Sequence, residues 1–277
     1  MNNIRLIAID VDGTLLRNDG TVAEEDQAAI ATARSRGVTV TLATGRLSSS
    51  AMPFARALGL EAPLVCADGA VLFCPTRGIP LSQTPLGIPG LTSLLHCLRD
   101  QTLAPFVFTH EAVCGAPEDF DRFPFVAGWT PMRAPHADLE RAVAAAGTLA
   151  PITAIGVGPE AAVLAAETAM RADPAIADEV AVFPIRTTDH WVVRLTPSGC
   201  SKALGLAQVA RKLAVSAAEV ATIGDWYNDI SMLEWAGSSF AMGQAPDEVK
   251  RSAKRRLRAT AETGGAVAEA LSQLMRA

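Results

Sequence analysis

The segment Ile4-Arg5-Leu6-Ile7-Ala8-Ile9 runs straight into Asp10-Val11-Asp12-Gly13-Thr14. A short, nearly unbroken apolar run is what a strand buried on both faces requires, and such strands belong to parallel sheets covered by helices. The abrupt change to carboxylates and glycine marks a loop at the end of that strand. Two further runs repeat the pattern. Val38 to Ala43 ends at Thr44-Gly45-Arg46, and Val220 to Ile223 ends at Gly224-Asp225-Trp226-Tyr227-Asn228-Asp229. Strands of this kind, alternating with helical stretches, predict an α/β fold built on a doubly wound parallel sheet.

Between these runs the local signals are specific. Thr21-Val22-Ala23-Glu24 fits a capping box opening a helix that closes at Gly37. A second helical stretch leads to Gly59, and Leu64 to Ala67 reads as the third strand. Val71 to Phe73 and Ile79 to Leu81 resemble a hairpin around Pro75-Thr76-Arg77-Gly78. From there the rhythm breaks. Residues 84–195 are rich in proline and mix helical segments (Leu91 to Leu98, Leu139 to Ala146, Ala161 to Met170) with extended ones (Phe106 to Thr109, Ile152 to Val157, Val180 to Ile185, Trp191 to Leu195). They are expected to form an α+β domain inserted into a core made of residues 1–83 and 196–277. The α/β rhythm then returns. Ser201 can cap a helix from Lys202 to Leu213, and a helix is expected from Asn228 to Ala236. Pro246 suits the first position of another helix, and Gly264-Gly265 precede a terminal one.

Composition narrows the function. A formal net charge of −5 with no dense basic stripe argues against nucleic acid as a partner. The basic run from Lys250 to Arg258 reads as a solvated surface segment. Five cysteines, an odd number without a C-x-x-C pair, read as reduced thiols of a cytoplasmic protein. The first apolar run is too short for a signal peptide and is followed at once by Asp10 and Asp12. No apolar stretch is long enough to span a bilayer without charges or helix breakers, so no membrane partner is expected.

In open parallel sheets, ligands sit beyond the carboxyl ends of the strands, where the strand order reverses. The polar clusters would then meet in one cleft and bring Asp10, Asp12, Asp225 and Asp229 together. Like charges so crowded need a proton or a cation to offset them. An oxygen-rich site with no convergent histidine suits Mg²⁺, which binds through a few carboxylates and keeps several waters. Thr44 and Lys202 supply a hydroxyl and a cation, and Gly13 and Gly45 leave backbone N–H groups open to close approach. Together they form a plausible phosphate cradle. Taken alone, Asp10 and Asp12 also fit a strand end and a turn, and Lys202 alone fits a solvated helix residue; the matching clusters promote them.

With these residues in view, the sequence resembles the haloacid dehalogenase superfamily, and within it the Cof-type phosphatases that carry a large α/β cap. The resemblance rests on Asp10-Val11-Asp12-Gly13-Thr14-Leu15-Leu16, Leu42-Ala43-Thr44-Gly45-Arg46, Lys202 in Ser198-Gly199-Cys200-Ser201-Lys202, and Gly224-Asp225-Trp226-Tyr227-Asn228-Asp229, in that order. Ala241-Met242-Gly243 and Gly265-Ala266-Val267 follow the same pattern. It implies an Mg²⁺-dependent phosphatase acting on small phosphorylated metabolites, such as sugar phosphates, through an aspartyl-phosphate. Asp10 would be the nucleophile and Asp12 the general acid and base. The metal would be held by the Asp10 carboxylate, the Asp12 backbone carbonyl, Asp225 and Asp229, the last directly or through water. Thr44, the Gly45 backbone, Lys202 and Asn228 would hold the phosphoryl oxygens. Arg46 and Asp68 are candidate substrate contacts. A phosphomutase or phosphotransferase on the same scaffold is the alternative, and a non-catalytic phosphoryl-binding protein a third reading. The chain departs from the family at Asp68, where asparagine is common, at Gln244, likewise, and at the bulky Trp226 and Tyr227. In the insert, Trp129, His110, Arg133, His136 and His190 read as structural or exposed.

Overall fold

The structure, a computed structural model, describes residues 3–110, 112–128, 132–135, 139, 150–174, 176, 179–185 and 188–276. In chain order its elements begin with β1 (Leu6–Ile9), α1 (Glu24–Ser35), β2 (Thr39–Leu42), α2 (Ser48–Ala57), β3 (Leu64–Cys66), β4 (Val71–Cys74) and β5 (Ile79–Gln83). Next come α3 (Ile88–Asp100), β6 (Ala104–Phe108), β7 (Val113–Gly115), α4 (Pro117–Arg122), β8 (Arg133–Pro135), β9 (Thr153–Gly158), α5 (Glu160–Ala172), β10 (Glu179–Pro184) and β11 (Trp191–Thr196). The chain closes with α6 (Lys202–Lys212), β12 (Val220–Gly224), α7 (Ile230–Trp235), β13 (Ser238–Ala241), α8 (Asp247–Ser252), β14 (Arg255–Arg256) and α9 (Ala266–Arg276). It divides into two compact units, one of Met1–Ser82 with Ser201–Ala277, the other of Gln83–Cys200.

The first unit is built on a five-stranded parallel sheet of order β14-β13-β12-β1-β2. Every residue of β1 and β12 is buried, which is why both read as unbroken apolar runs. Successive side chains point to opposite faces. Leu6 and Ala8 join Leu206, Val209, Ala210, Met232 and Ala236 of α6, α7 and the residue after it in one buried cluster. Ile7 and Ile9 are as deeply buried on the other side. The sheet is therefore covered on both faces, as a doubly wound sheet must be. β1 lies between β2 and β12, so the strand order reverses there. Ile9 is level with both Leu42 and Ile223, which sets the three following loops at the same edge.

Several local expectations need correction. Thr21 does not cap α1: its hydroxyl is taken by Asp19 and Arg17, and Ala23 stands at the cap position without a side-chain bond. Leu64–Cys66 is not a full member of the parallel sheet. It touches that sheet through the single bridge Ala43↔Val65 and pairs antiparallel with β4, giving a separate β3-β4-β5 sheet. Pro246 is the residue before α8, not its first. The helix expected from Asn228 starts as a 3₁₀ turn, Tyr227–Asp229. By contrast, the Ser201 hydroxyl does accept from the Leu204 N–H (3.2 Å) and caps α6.

The second unit is an α+β body. Its six strands run β10-β11-β9-β6-β7-β8, antiparallel except for β7 with β8. α3 and α5 cover one face through Leu91, Leu94, Leu98, Val163, Ala166 and Met170 packed with Val107, Val193 and Leu195. Phe106 packs against Phe120 and Phe123, with ring centroids 5.4 and 6.4 Å apart. The short β7, β8 and α4 carried no readable signal. Of the helix expected over Leu139 to Ala146 only Leu139 is among the described residues, where it is buried; Trp129 and His136 lie outside them. Among the described residues no helix is long and apolar enough to cross a membrane, and all five cysteines are free thiols.

Candidate active site

The three loops that leave the sheet together carry the polar clusters. Asp10 follows β1 and is buried, with its N–H bonded to the Ile223 carbonyl. Asp225 follows β12, and Asp229 closes the 3₁₀ turn after it; both are fully buried. Asp10, Asp225 and Asp229 offer oxygens that all lie within 4.8 Å of one another. The Lys202 ammonium, at the start of α6 and fully buried, sits 2.6 Å from Asp10 Oδ1 and 2.6 Å from Asp229 Oδ1. Asp229 Oδ2 accepts from the backbone N–H groups of Asp225 (2.8 Å) and Trp226 (2.9 Å), so the carboxylate is fixed from both ends. Gly224 makes this possible, because a Cβ there would stand 2.6 Å from the Asp229 side chain.

Burial, then the charge of Asp229, push the Asp10 carboxyl well above the usual carboxylate range; Lys202 pulls the other way and Asp225 adds to the rise. Burial alone would lower Lys202, but Asp10, Asp229 and Asp68 outweigh it and hold the ammonium firmly protonated. Three buried carboxylates thus face one ammonium, an excess of negative charge that only a proton or a cation can neutralise. The donors are all oxygens. This group can hold a hard divalent metal ion. Asp225 is further braced by Thr14 Oγ1 on Oδ1 (3.3 Å) and Gln244 Nε2 on Oδ2 (3.4 Å), and the same Gln244 nitrogen donates to the Gly13 carbonyl (2.7 Å). Sequence reasoning named Thr14 only as part of a motif and Gln244 only as a departure from one; neither bond has a local signal.

The remaining candidates form two smaller groups. The Asp12 side chain stands outside the three-carboxylate group and is 57% exposed. Arg46 grips it with Nε to Oδ2 (2.7 Å) and Nη2 to Oδ1 (2.6 Å). The guanidinium is itself held by Ser50 Oγ (3.2 Å) and lies over the Phe54 ring. Thr44, fully buried, accepts the Arg46 N–H on its hydroxyl (3.1 Å). Asn228 Nδ2 donates to Asp68 Oδ1 (2.8 Å), and both flank the Cα of Gly45. Trp226 and Tyr227 meet edge to face, with Tyr227 half exposed.

Comparison with known proteins fits this arrangement. The haloacid dehalogenase-like hydrolase family matches residues 7–132 and 163–271. The HMP-PP phosphatase of Serratia proteamaculans (strain 568) is 29% identical over 251 residues, covering 89% of this chain and 86% of its own. The pyridoxal phosphate phosphatase YbhA of Escherichia coli (strain K12) is 26% identical, covering 90% and 91%. A haloacid dehalogenase-like hydrolase from Bacteroides thetaiotaomicron shares the fold with a TM-score of 0.82 at 22% identity, over 98% of this chain and 99% of that one. With the family match extending over both ends of the chain and most of the insert, the chain belongs to the haloacid dehalogenase-like hydrolases, as a phosphoric monoester hydrolase of the Cof type.

Proposed function

We propose that the chain hydrolyses phosphate monoesters of small metabolites, sugar phosphates or compounds of similar size, with Asp10 as the nucleophile and Mg²⁺ as the cofactor. The observation that carries the reading is the Lys202 ammonium clamped between Asp10 and Asp229 beside Asp225. A carboxylate so fixed can attack without the cost of being ordered first. An Asp10 oxygen bonds to phosphorus as the ester oxygen departs, and Asp12 gives that oxygen its proton. Water then attacks the aspartyl-phosphate, Asp12 takes its proton back, and inorganic phosphate leaves with Asp10 restored. Thr44, the Gly45 N–H, Lys202 and Asn228 hold the phosphoryl oxygens. Lys202 also opposes the charge that grows on them during transfer, the main demand of this chemistry. The metal ion would be held by Asp10, Asp225, Asp229 and the Asp12 carbonyl. When bound, it supplies further neutralisation of phosphoryl charge. Relatives named for HMP-PP and pyridoxal phosphate support a small substrate.

The test is phosphate release from a panel of phosphorylated metabolites with Mg²⁺, paired with acid-quenched mass spectrometry. Phosphate release and an added phosphoryl mass on the Asp10 peptide, absent in Asp10→Asn, are expected. Label on a serine or histidine peptide refutes the mechanism. An isomerised sugar phosphate without free phosphate selects the mutase.

A further inference from the structure

We propose that Asp68 is a positioning residue for Asn228: it commits the Asn228 amide to donating toward the phosphoryl oxygens, a task the sequence alone did not assign to it. The inference rests on the phosphatase reading above and concerns how its phosphate cradle is oriented.

The turn that carries Asp68 is tied down on two sides. On one, Ala67 N–H donates to the Arg46 carbonyl (2.9 Å) and Asp68 N–H to the Thr44 carbonyl (3.1 Å), so the turn follows the Thr44-Gly45-Arg46 loop. On the other, Gly69 lies against the residue that caps α6: a Cβ at Gly69 would be 2.2 Å from the Ser201 carbonyl. Ala67, Asp68 and Gly69 all have positive φ, and Asp68 holds φ 51° and ψ 32°. Aspartate, asparagine and glycine tolerate that conformation where most residues do not. The side chain is thereby delivered, buried, beside Gly45 and Asn228.

The chemistry follows from donor count. A primary amide presents an acceptor at one end and two N–H groups at the other, and it can turn over between them. An ionised carboxylate only accepts. Facing Asp68, Asn228 must therefore turn its nitrogen inward, as the 2.8 Å bond from Nδ2 to Oδ1 records. One N–H is spent on Asp68 and the second remains on the same nitrogen for a phosphoryl oxygen, which also only accepts. The opposite orientation would set the Asn228 oxygen against Asp68, two acceptors in contact.

A double-mutant cycle tests this, using inorganic phosphate as the probe and its inhibition constant in Mg²⁺ buffer as the readout, beside kcat and KM on one turned-over substrate. Asp68→Gly keeps the backbone conformation and removes the acceptor. Asp68→Asn keeps both conformation and an acceptor. Asp68→Gly should raise the phosphate inhibition constant and KM about three- to tenfold, the range of one hydrogen bond's net worth. In an Asn228→Ala background the same change should not raise the constant further, because only the loss of the Asp68 charge beside Lys202 is then left to act, and Asp68→Asn should return the constant to within about twofold of wild type. An equal effect of Asp68→Gly in both backgrounds, no effect in either, or failure of Asp68→Asn to rescue would overturn the proposal. If the wild type releases no phosphate from any ester, the phosphatase reading falls first and takes this one with it; retained turnover in Asp68→Gly with an unchanged constant removes this one alone.

Discussion

Replacing the nucleophile should make the metal-free protein more stable. In the absence of a cation, Asp10 in its charged form meets Asp225 and Asp229 at oxygen separations within 4.8 Å. At an effective dielectric of about 20, each such pair repels by at least about 3.5 kcal/mol, so the two together by at least about 7 kcal/mol. The Lys202 ammonium at 2.6 Å returns about 6 kcal/mol on the same scale. Repulsion at least offsets the attraction to Lys202, and the cost of burying the charge adds to it. That cost is several kcal/mol for a carboxylate and about 1–3 kcal/mol for an amide. Asp10→Asn should therefore stabilise the metal-free fold by about 1–3 kcal/mol while abolishing turnover, a rise in Tm of about 3–9 °C. The pH sign follows from the raised Asp10 carboxyl. A carboxyl whose folded pKa lies above its unfolded one lends stability at pH below the unfolded value, and that stability is lost as pH rises through the folded pKa. The Tm gap between variant and wild type should thus be small in acid and widen as pH rises through that value. Thermal unfolding in EDTA across pH 4 to 9, repeated with Mg²⁺, reads all of this. Mg²⁺ should raise the wild-type Tm by mass action and the variant's by less. A lower Tm for Asp10→Asn in EDTA at neutral pH would refute the charge argument.

Further expectations concern other parts of the fold. Gly224→Ala should push Asp229 off Lys202, cost about 1–3 kcal/mol by overpacking and cut kcat sharply; a variant with wild-type kcat and Tm contradicts the contact. Asp26, fully buried on α1, accepts the N–H groups of Gly265, Val267 and Ala268 at the start of α9, and Asp26→Ala should lower stability by about 2–3 kcal/mol through those orphaned donors, as denaturant titration can measure. Burial pushes the Cys66 thiol up to about 12, whereas the Thr76 hydroxyl holds Cys74 below its ordinary value. In the native protein at pH 8, a mass-resolved thiol reagent should therefore modify Cys74 ahead of Cys66; modification of Cys66 ahead of Cys74 counts against that environment.

Much of the first unit was legible because its strands carry a one-dimensional signal. Runs such as Leu6–Ile9 and Val220–Gly224 are apolar at every position, and each stops at a polar loop. That the loops after β1 and β12 leave side by side follows from parallel strands and a reversal of order, which is how Asp10, Asp225 and Asp229 could be expected together. What stayed hidden depends on partners far apart in sequence. Arg46 reaches Asp12 and Asn228 reaches Asp68 across 34 and 160 positions. Thr21 matched a capping pattern, but Asp19 two residues away offers its hydroxyl a competing acceptor. Three-residue strands such as Val113–Gly115 are shorter than any periodicity can resolve.

The position of β1 between β2 and β12 has a consequence for biosynthesis. One neighbour of β1 is made within a few dozen residues, but the other, starting at Val220, emerges only after the whole of Gln83–Cys200 has been translated. At about 5–20 residues per second, the nascent chain carries a hydrophobic strand with one open hydrogen-bonding edge for about 10–40 s. The intervening unit has all its strands in one continuous stretch and can complete its own pairings during that wait. An open apolar edge is a template for pairing with another chain. Overproduction that crowds ribosomes, or pausing codons placed between residues 200 and 220, should therefore shift yield from soluble protein to aggregate, with Leu6–Ile9 as the segment that sticks.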